Sequence, residues 1–416
     1  MYRFVFAVLL AALAAPAQQQ PVLGQGVRLD DLVNEALLRN REILKEQKVV
    51  EAAQQRRSID STLPDPMVSF GYTNSNPTPI LRDSPENKAG LMFTQEIPFP
   101  GKLKLKGEMA ASHAKATFQE LQVTRLEVVS RVKQAYYQLH YLTRARETIE
   151  RNRDLLHKFA SVAEARYSVG KGTQQDVLKA QTEHSRLFAR MAMLDRESGA
   201  MEAELRMLLN RPPEAPVGRL ADYPRATLRP GIEELLAHAS DNAPRLIHDR
   251  YEIDFTQAGL NLARRGYYPD FAVTTSYFQR RDNTPEFEVR VDVKVPLYFW
   301  RKQRYEVKEN TAYVSQWKHQ YEADAQELNR RIKDDYLAAK ASEKVADLYE
   351  KAIMKQAALT LESSLSSYET GAVDFLTLLT NLMTVLDTEL TYYEELATYH
   401  KALARLEAAT GMRLLN

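Results

Sequence analysis

Between positions 287 and 295 the chain alternates without interruption. Phe287, Val289, Val291, Val293 and Val295 take one parity; Glu288, Arg290, Asp292 and Lys294 take the other. Successive strand side chains point to opposite faces, so the segment predicts a strand with one apolar and one charged face. A partner strand is predicted over about 270–278, where Phe271, Val273, Thr275 and Tyr277 alternate with Ala272, Thr274 and Ser276. Two earlier runs read the same way: about 66–73, with Val68, Phe70 and Tyr72, and about 90–97, with Leu91, Phe93 and Ile97.

After each strand pair the pattern changes. All 18 prolines fall outside two windows, 102–169 and 301–370, and the one glycine inside them is Gly107. Leu, Ala, Val and Tyr are interspersed there with dense charge, which predicts long helices with a packed seam and a solvated face. At 1.5 Å per residue each would measure roughly 100 Å, far beyond an ordinary globular helix. Each window closes on a Tyr-x-x-Gly turn, formed by Tyr167 and Gly170 and by Tyr368 and Gly371. Helical return legs follow over about 173–209 and 374–410, and shorter helices at about 41–60 and 244–265 precede the strand pairs. Pro98 and Pro296 stand 198 positions apart, and Gly170 and Gly371 stand 201 apart. Such fixed spacing marks one helix–hairpin–long-helix unit written twice. The predicted organisation is a first unit over 18–213, a linker over 214–230 and a second unit over 231–416. A free-standing coiled-coil rod is the competing reading of the helices.

A soluble sheet with one wet face would also alternate. Four charges on one face over about nine residues, the length of a tilted membrane strand, favour a transmembrane sheet. Its lumen side would then carry Glu288, Arg290, Asp292 and Lys294. Phe99 after the second strand, and Tyr298, Phe299 and Trp300 after the fourth, sit where an interfacial girdle would lie. Four strands are too few to close a barrel, and an open edge is not tolerated in hydrocarbon. If the sheet enters a membrane, other copies of the chain must complete it.

Composition narrows the chemistry. Lys and Arg number 56 against 55 Asp and Glu, a net charge of +1 that gives no nucleic-acid footprint. Cysteine is absent, which removes thiolate chemistry, disulfides and lipid attachment to an N-terminal cysteine. Arg3, an apolar run over 4–15 and Ala15-Pro16-Ala17 read as a secretory signal peptide over 1–17. A buried N-terminal helix is the alternative. The eight histidines are scattered singly, and no Walker loop, GxSxG elbow or dinucleotide fingerprint occurs. No catalytic residue, cofactor or metal site is expected. Lys102, Lys104 and Lys106 open the first long window, either as a contact to anionic lipid headgroups or as a solvated helix start.

At its turns and corners the chain resembles the TolC-like outer-membrane efflux proteins, the outer membrane factors of tripartite efflux systems. Arg166-Tyr-Ser-Val-Gly-Lys-Gly-Thr-Gln-Gln-Asp-Val-Leu178 and Ser367-Tyr-Glu-Thr-Gly-Ala-Val-Asp-Phe-Leu376 are similar to that family's two helical tips. Gln95-Glu-Ile-Pro-Phe-Pro-Gly-Lys102 and Val295-Pro-Leu-Tyr-Phe-Trp300 resemble its strand-to-helix corners. The resemblance runs from about position 29 to the end. It implies a mixed α and β membrane protein: a homotrimer whose twelve strands form an outer-membrane β-barrel, continued by an α-helical barrel through the periplasm. It implies as partners an inner-membrane pump, a periplasmic adaptor and outer-membrane lipid, with no nucleic acid. In the family the second tip often carries carboxylates six and nine residues after its glycine, forming a cation-binding constriction; here those positions are Thr377 and Thr380. Asp176, six after the first tip glycine, and Tyr368 correspond to parts of a latch. The latch's basic partner falls on Val373, and capping alone would equally explain Asp176 and Asp374.

The expected function is a passive exit duct for small molecules or metal cations. An exit duct for type I protein secretion and a periplasmic coiled-coil adaptor or scaffold are the other readings.

Overall fold

A computed structural model describes residues 26–74, 86–282 and 284–415. The expected signal peptide and positions 75–85 of the first hairpin loop lie outside the described residues. Two short helices, α1 (Leu29–Arg39) and α2 (Arg41–Ser61), lead into strands β1 (Met67–Thr73) and β2 (Lys88–Ile97). Helix α3 (Lys102–Ser168) then runs for 67 residues, about 100 Å at standard rise, and α4 (Gln174–Leu208) returns alongside it. The same order follows in α5 (Ile232–Asn242), α6 (Pro244–Arg265), β3 (Asp270–Arg280) and β4 (Pro285–Lys294), then α7 (Gln303–Leu348), α8 (Met354–Thr370) and α9 (Phe375–Thr410).

The path expected as one unbroken helix over 301–370 carries a single π-helical turn, Tyr349–Ile353, between α7 and α8. Such a turn adds a residue to the helical repeat and swings the following side chains around the axis. It lies beside a docked loop residue: Arg225 pairs with Asp347 at 2.5 Å and with Glu350 at 3.5 Å. Helices α1 and α5 are additions to the predicted set. Each is a short amphipathic helix whose fully buried pair, Leu32 with Ala36 and Leu235 with Ala239, joins the core.

Helix ends meet and form two composite struts. The Asn40 side chain caps α2 by accepting from the Glu42 and Ile43 N–H groups, and its Nδ2 donates to Leu208 O at 2.9 Å at the end of α4. Thus α4 and α2 lie end to end along α3, which packs against both. At the other strut His238 Nδ1 lies 3.0 Å from Thr410 O, joining α5 to the end of α9, and both α6 and α9 pack against α3 and α7. Each composite strut spans much of its long neighbour, so exposed helix ends are few and apolar seams stay covered.

The proline-rich segment 211–230 crosses this junction and cannot supply its own hydrogen-bond ladder. Tyrosines do so instead. Tyr136 Oη donates to Ala221 O at 2.6 Å, Tyr399 Oη donates to Ala226 O at 3.1 Å and accepts from Leu228 N at 3.0 Å. Val27 adds one parallel bridge to Leu220. Beneath the segment His400 is 1% exposed, stacked on Tyr137 at 4.7 Å and edge-on to Tyr223 at 4.7 Å. Neither ring nitrogen of His400 has a hydrogen-bond partner among the described residues. Burial, with the positive charges of Arg225 and His140 adding to it, pushes the His400 imidazolium down to a pKa of about 3.

That depression fixes a pH dependence. Above about pH 6.5 His400 is neutral folded or unfolded, and its contribution to stability is complete. Below that the unfolded chain takes a proton the folded chain refuses, so stability falls as pH drops towards 3. The loss reaches about 2 kcal/mol by pH 5. Thermal unfolding of the full chain at pH 7.5 and pH 5, set beside His400→Phe, checks this. The wild type should lose more stability on acidification than the variant, and equal losses would refute the assignment.

Candidate functional site

The four strands form one antiparallel sheet in the order β1-β2-β3-β4, and its register sorts the side chains. Phe287, Val289, Val291 and Val293 of β4 oppose Tyr277, Thr275, Val273 and Phe271 of β3. These continue across to Leu91, Phe93, Gln95 and Ile97 of β2, and Phe70 and Val68 of β1 oppose Leu91 and Phe93. One face is therefore an almost unbroken apolar surface. In the single chain it is bare: Phe70 is 74% exposed, Phe287 70% and Val291 62%. A contiguous apolar patch of this kind marks contact with a partner or a bilayer. Strands of 7 to 11 residues suit a tilted membrane crossing. Among the described residues no helix is long and apolar enough to cross a membrane.

The opposite face is polar. Glu288, Arg290, Asp292 and Lys294 stand along β4, with Arg290 Nε 3.1 Å from Asp292. Across β3 and β2, Thr274 and Thr94 share a 3.0 Å hydroxyl contact. At the loop end Glu286 accepts from Lys88 Nζ at 2.7 Å and from Arg280 Nη1 at 3.0 Å. One aromatic ring lies on this polar face. Phe278 sits over paired Gly71 and Gly90, with Lys88 Nζ 5.1 Å from the ring centroid. Sequence reasoning missed this group, although the glycine within each of two facing strands was a usable signal for close approach.

The four strand ends opposite the hairpin loops turn into helices. Asp270 Oδ1 accepts from Phe99 N at 2.8 Å and from Lys102 Nζ at 2.8 Å, and Lys102 Nζ also donates to Tyr268 O at 3.1 Å. Phe99 stacks on Tyr268 with centroids 4.6 Å apart, and Arg265 donates to Pro100 O at 2.9 Å. The corner after β2 is thereby locked to the corner before β3. After β4, Tyr298, Phe299 and Trp300 are all exposed, and Trp300 touches both others edge-on. Of the four expected girdle residues, Phe99 is half-buried and the other three face outward.

At the far end two turns lie side by side. Gly170 and Gly371 adopt left-handed backbone, φ 70° and 81°, which ends α3 and α8 without steric cost. Thr173 and Asp176 form a reciprocal capping box at the start of α4. Asp374 caps α9, accepting from Thr377 N at 2.8 Å, and the Thr377 hydroxyl and N–H together hold its carboxyl below the usual range. Thr380 donates to Leu376 O within its own helix. Tyr167 is exposed, whereas Tyr368 is buried against Phe375 with the Arg166 guanidinium 4.3 Å from its ring centroid. Arg166 also donates to Glu369 O at 3.2 Å, so it ties the two turns of one chain. Among the described residues no hydrogen bond joins Asp176 to Tyr368. The Arg166 bridge was not foreseen, because its partners lie in the other half of the chain.

With this geometry in view, the comparisons are informative. The profile described as outer membrane efflux protein matches residues 32–211 and 235–412. No curated protein sequence matches the chain. Similar solved structures include the outer-membrane channel OprN, with TM-score 0.80 and 16% identity over 92% of this chain and 89% of that one. The Campylobacter jejuni CmeC outer membrane channel gives TM-score 0.77 and 14% identity, covering 99% and 94% of the two chains. The open state of the Neisseria gonorrhoeae MtrE outer membrane channel gives 0.78 and 18%, covering 94% and 90%. The shared fold is that of outer-membrane channels.

The sheet's close approach at Gly90 can be tested. A Cβ there would fall 2.0 Å from Tyr277 O and 2.6 Å from Phe278 Cα, both backbone atoms that cannot step aside. Gly90→Ala should cost on the order of 3 kcal/mol and deplete the folded, membrane-retained protein. Gly71→Ala meets the movable Phe278 ring edge at 3.2 Å and should be milder. Quantifying each variant in urea-washed membranes checks the order; equal yields would contradict it.

Proposed function

Because the chain belongs to the outer membrane efflux protein family, we propose that it is the outer-membrane exit duct of a tripartite efflux system. Three copies assemble, each giving four strands to a twelve-stranded barrel and its long helices to a tube through the periplasm. The observation that carries this reading is the pairing of two deficits in one sheet. The apolar face is exposed, and β1 and β4 each keep one edge without a strand partner among the described residues. A bilayer covers the first, and joining β4 of one copy to β1 of the next removes the second. Glu288, Arg290, Asp292 and Lys294 then line the lumen, and Tyr298, Phe299 and Trp300 mark the interface.

The organisation proposed for the precursor is a signal peptide over 1–17, units over 18–213 and 231–416, and a linker over 214–230. The matching element order in the two halves supports it. An inner-membrane pump supplies the driving force, an adaptor couples it to the tip, and small molecules or metal cations are the cargo class. Nothing in the wall does covalent chemistry. At the tip, Thr377 and Thr380 put no carboxylate at the two positions six and nine residues after Gly371. Closure then rests on packing around Tyr368 and on the α4 start at Asp176.

The test is electrical. The purified chain should run as a trimer extracted from outer membranes and form pores in planar bilayers. Asp176→Ala combined with Tyr368→Phe should raise single-channel conductance by loosening the tip. Unchanged conductance would remove these two residues from the gate. A monomer that stays in solution without detergent would remove the duct itself.

A further inference from the structure

We propose that the groove between the start of α3 and the end of α6 binds the phosphate of an anionic phospholipid in the periplasmic leaflet. The inference rests on the duct reading for its orientation and adds a ligand to it. The groove holds about 600 Å³ and is walled by the Phe99–Tyr268 stack, Leu105 and Asn261; Lys104, Arg264 and Arg265 set three cations against one carboxylate, Glu108. Lys104 and Arg264 are both exposed. Arg264 has no ion-pair partner among the described residues, and Lys104 has Glu108 at 3.8 Å, a loose contact between exposed groups. Arg265 commits one nitrogen to Pro100 O and keeps its other donors. Helix α3 follows Gly101, which offers no side-chain cap, so its first-turn N–H groups add partial positive charge to the same space.

Position decides the occupant. The apolar face of the sheet ends at Ile97 and Phe271, which are register partners, and the groove residues Phe99 and Tyr268 stand two and three positions from them along the chain. An acyl chain lying on that face would bring its own headgroup to Lys104 and Arg264, past an aromatic stack suited to the interface. A free phosphate would use the cations but not the stack or the adjoining apolar strands. Across the other corner Arg301, Lys302 and Arg304 follow the Tyr298, Phe299 and Trp300 cluster, all exposed, with Glu306 4.0 Å from Lys302. Both corners therefore repeat the same sequence of zones: apolar strand, aromatic belt, cation.

Each cation at an anionic surface is worth roughly fivefold in binding, so the pair Lys104 and Arg264 predicts roughly a twenty-five-fold preference for charged over neutral headgroups. The full-length protein, reconstituted in phosphatidylcholine containing a minority of phosphatidylglycerol, is re-extracted in mild detergent and its retained lipid identified by mass. The wild type should retain phosphatidylglycerol far above its share of the bilayer. Lys104→Gln with Arg264→Gln, both exposed, should lose that enrichment while keeping assembly and conductance. Retention in proportion to the bulk, or enrichment that survives the double variant, overturns the proposal. Displacement of all retained lipid by inorganic phosphate at low concentration also overturns it, in favour of a free-phosphate site. An inserted, conducting assembly with no lipid preference sinks the groove alone, whereas a chain never retained by any membrane sinks the duct reading with it.

Discussion

The whole structure depends on a sheet that cannot be finished by one chain. Every backbone N–H and C=O taken out of water needs a partner, and β1 and β4 each leave a row of them open. The same sheet exposes Val68, Phe70, Leu91, Phe287 and Val291 on one side. A soluble monomer could cure neither defect without a covering layer, and the helices lie beyond the ends of the strands rather than on their faces. Closure with further copies, as proposed, would cure the edges, and hydrocarbon would cure the face. In the proposed assembly the polar side would be an enclosed wet surface, which suits the alternating Glu288, Arg290, Asp292 and Lys294, since no protein core could absorb them unpaired.

The helices answer a different problem, which is length without a globular core. A helix of about 100 Å cannot be stabilised by its own backbone alone and must bury a stripe along its whole course. The end-to-end struts meet that need, and their junctions are where polar groups collect: Asn40 on Leu208 O, and the capped tail beyond α9. There the buried Glu407 carboxylate pairs with Lys133 and accepts from the Leu414 and Leu415 N–H groups at 2.6 Å each. The irregular segment held by Tyr136 and Tyr399 straps the same level, so each chain's two halves cannot slide past one another without breaking several buried hydrogen bonds at once.

What could be read from the sequence was local. The alternation over 287–295 revealed both faces of β4, because a period of two needs no knowledge of the partner. The proline-free windows gave α3 and its counterpart, and Tyr-x-x-Gly gave the tips. Hidden features were those set by distant pairing. Phe278 interrupts the polar face of β3, and only the register reveals that Gly71 and Gly90 make room for it. Arg166 looks like any charged helix residue until Tyr368 arrives beneath it. The π turn at Tyr349–Ile353 leaves no composition signal, and the short helices α1 and α5 were masked by their brevity.

The tip shows why intrachain contacts matter to gating. Arg166 stacks on Tyr368 and bonds Glu369 O within one chain, an arrangement worth roughly 0.5–2 kcal/mol as a cation–π contact. Phe375, Leu378, Leu379 and Leu382 of α9 are buried beside it, so the two turns share one apolar cluster. Parting them would expose that cluster to water, a larger cost than the cation–π contact alone. In the proposed assembly of three such chains, the Arg166–Tyr368 pair therefore stiffens each tip at the residue around which closure is proposed to pack.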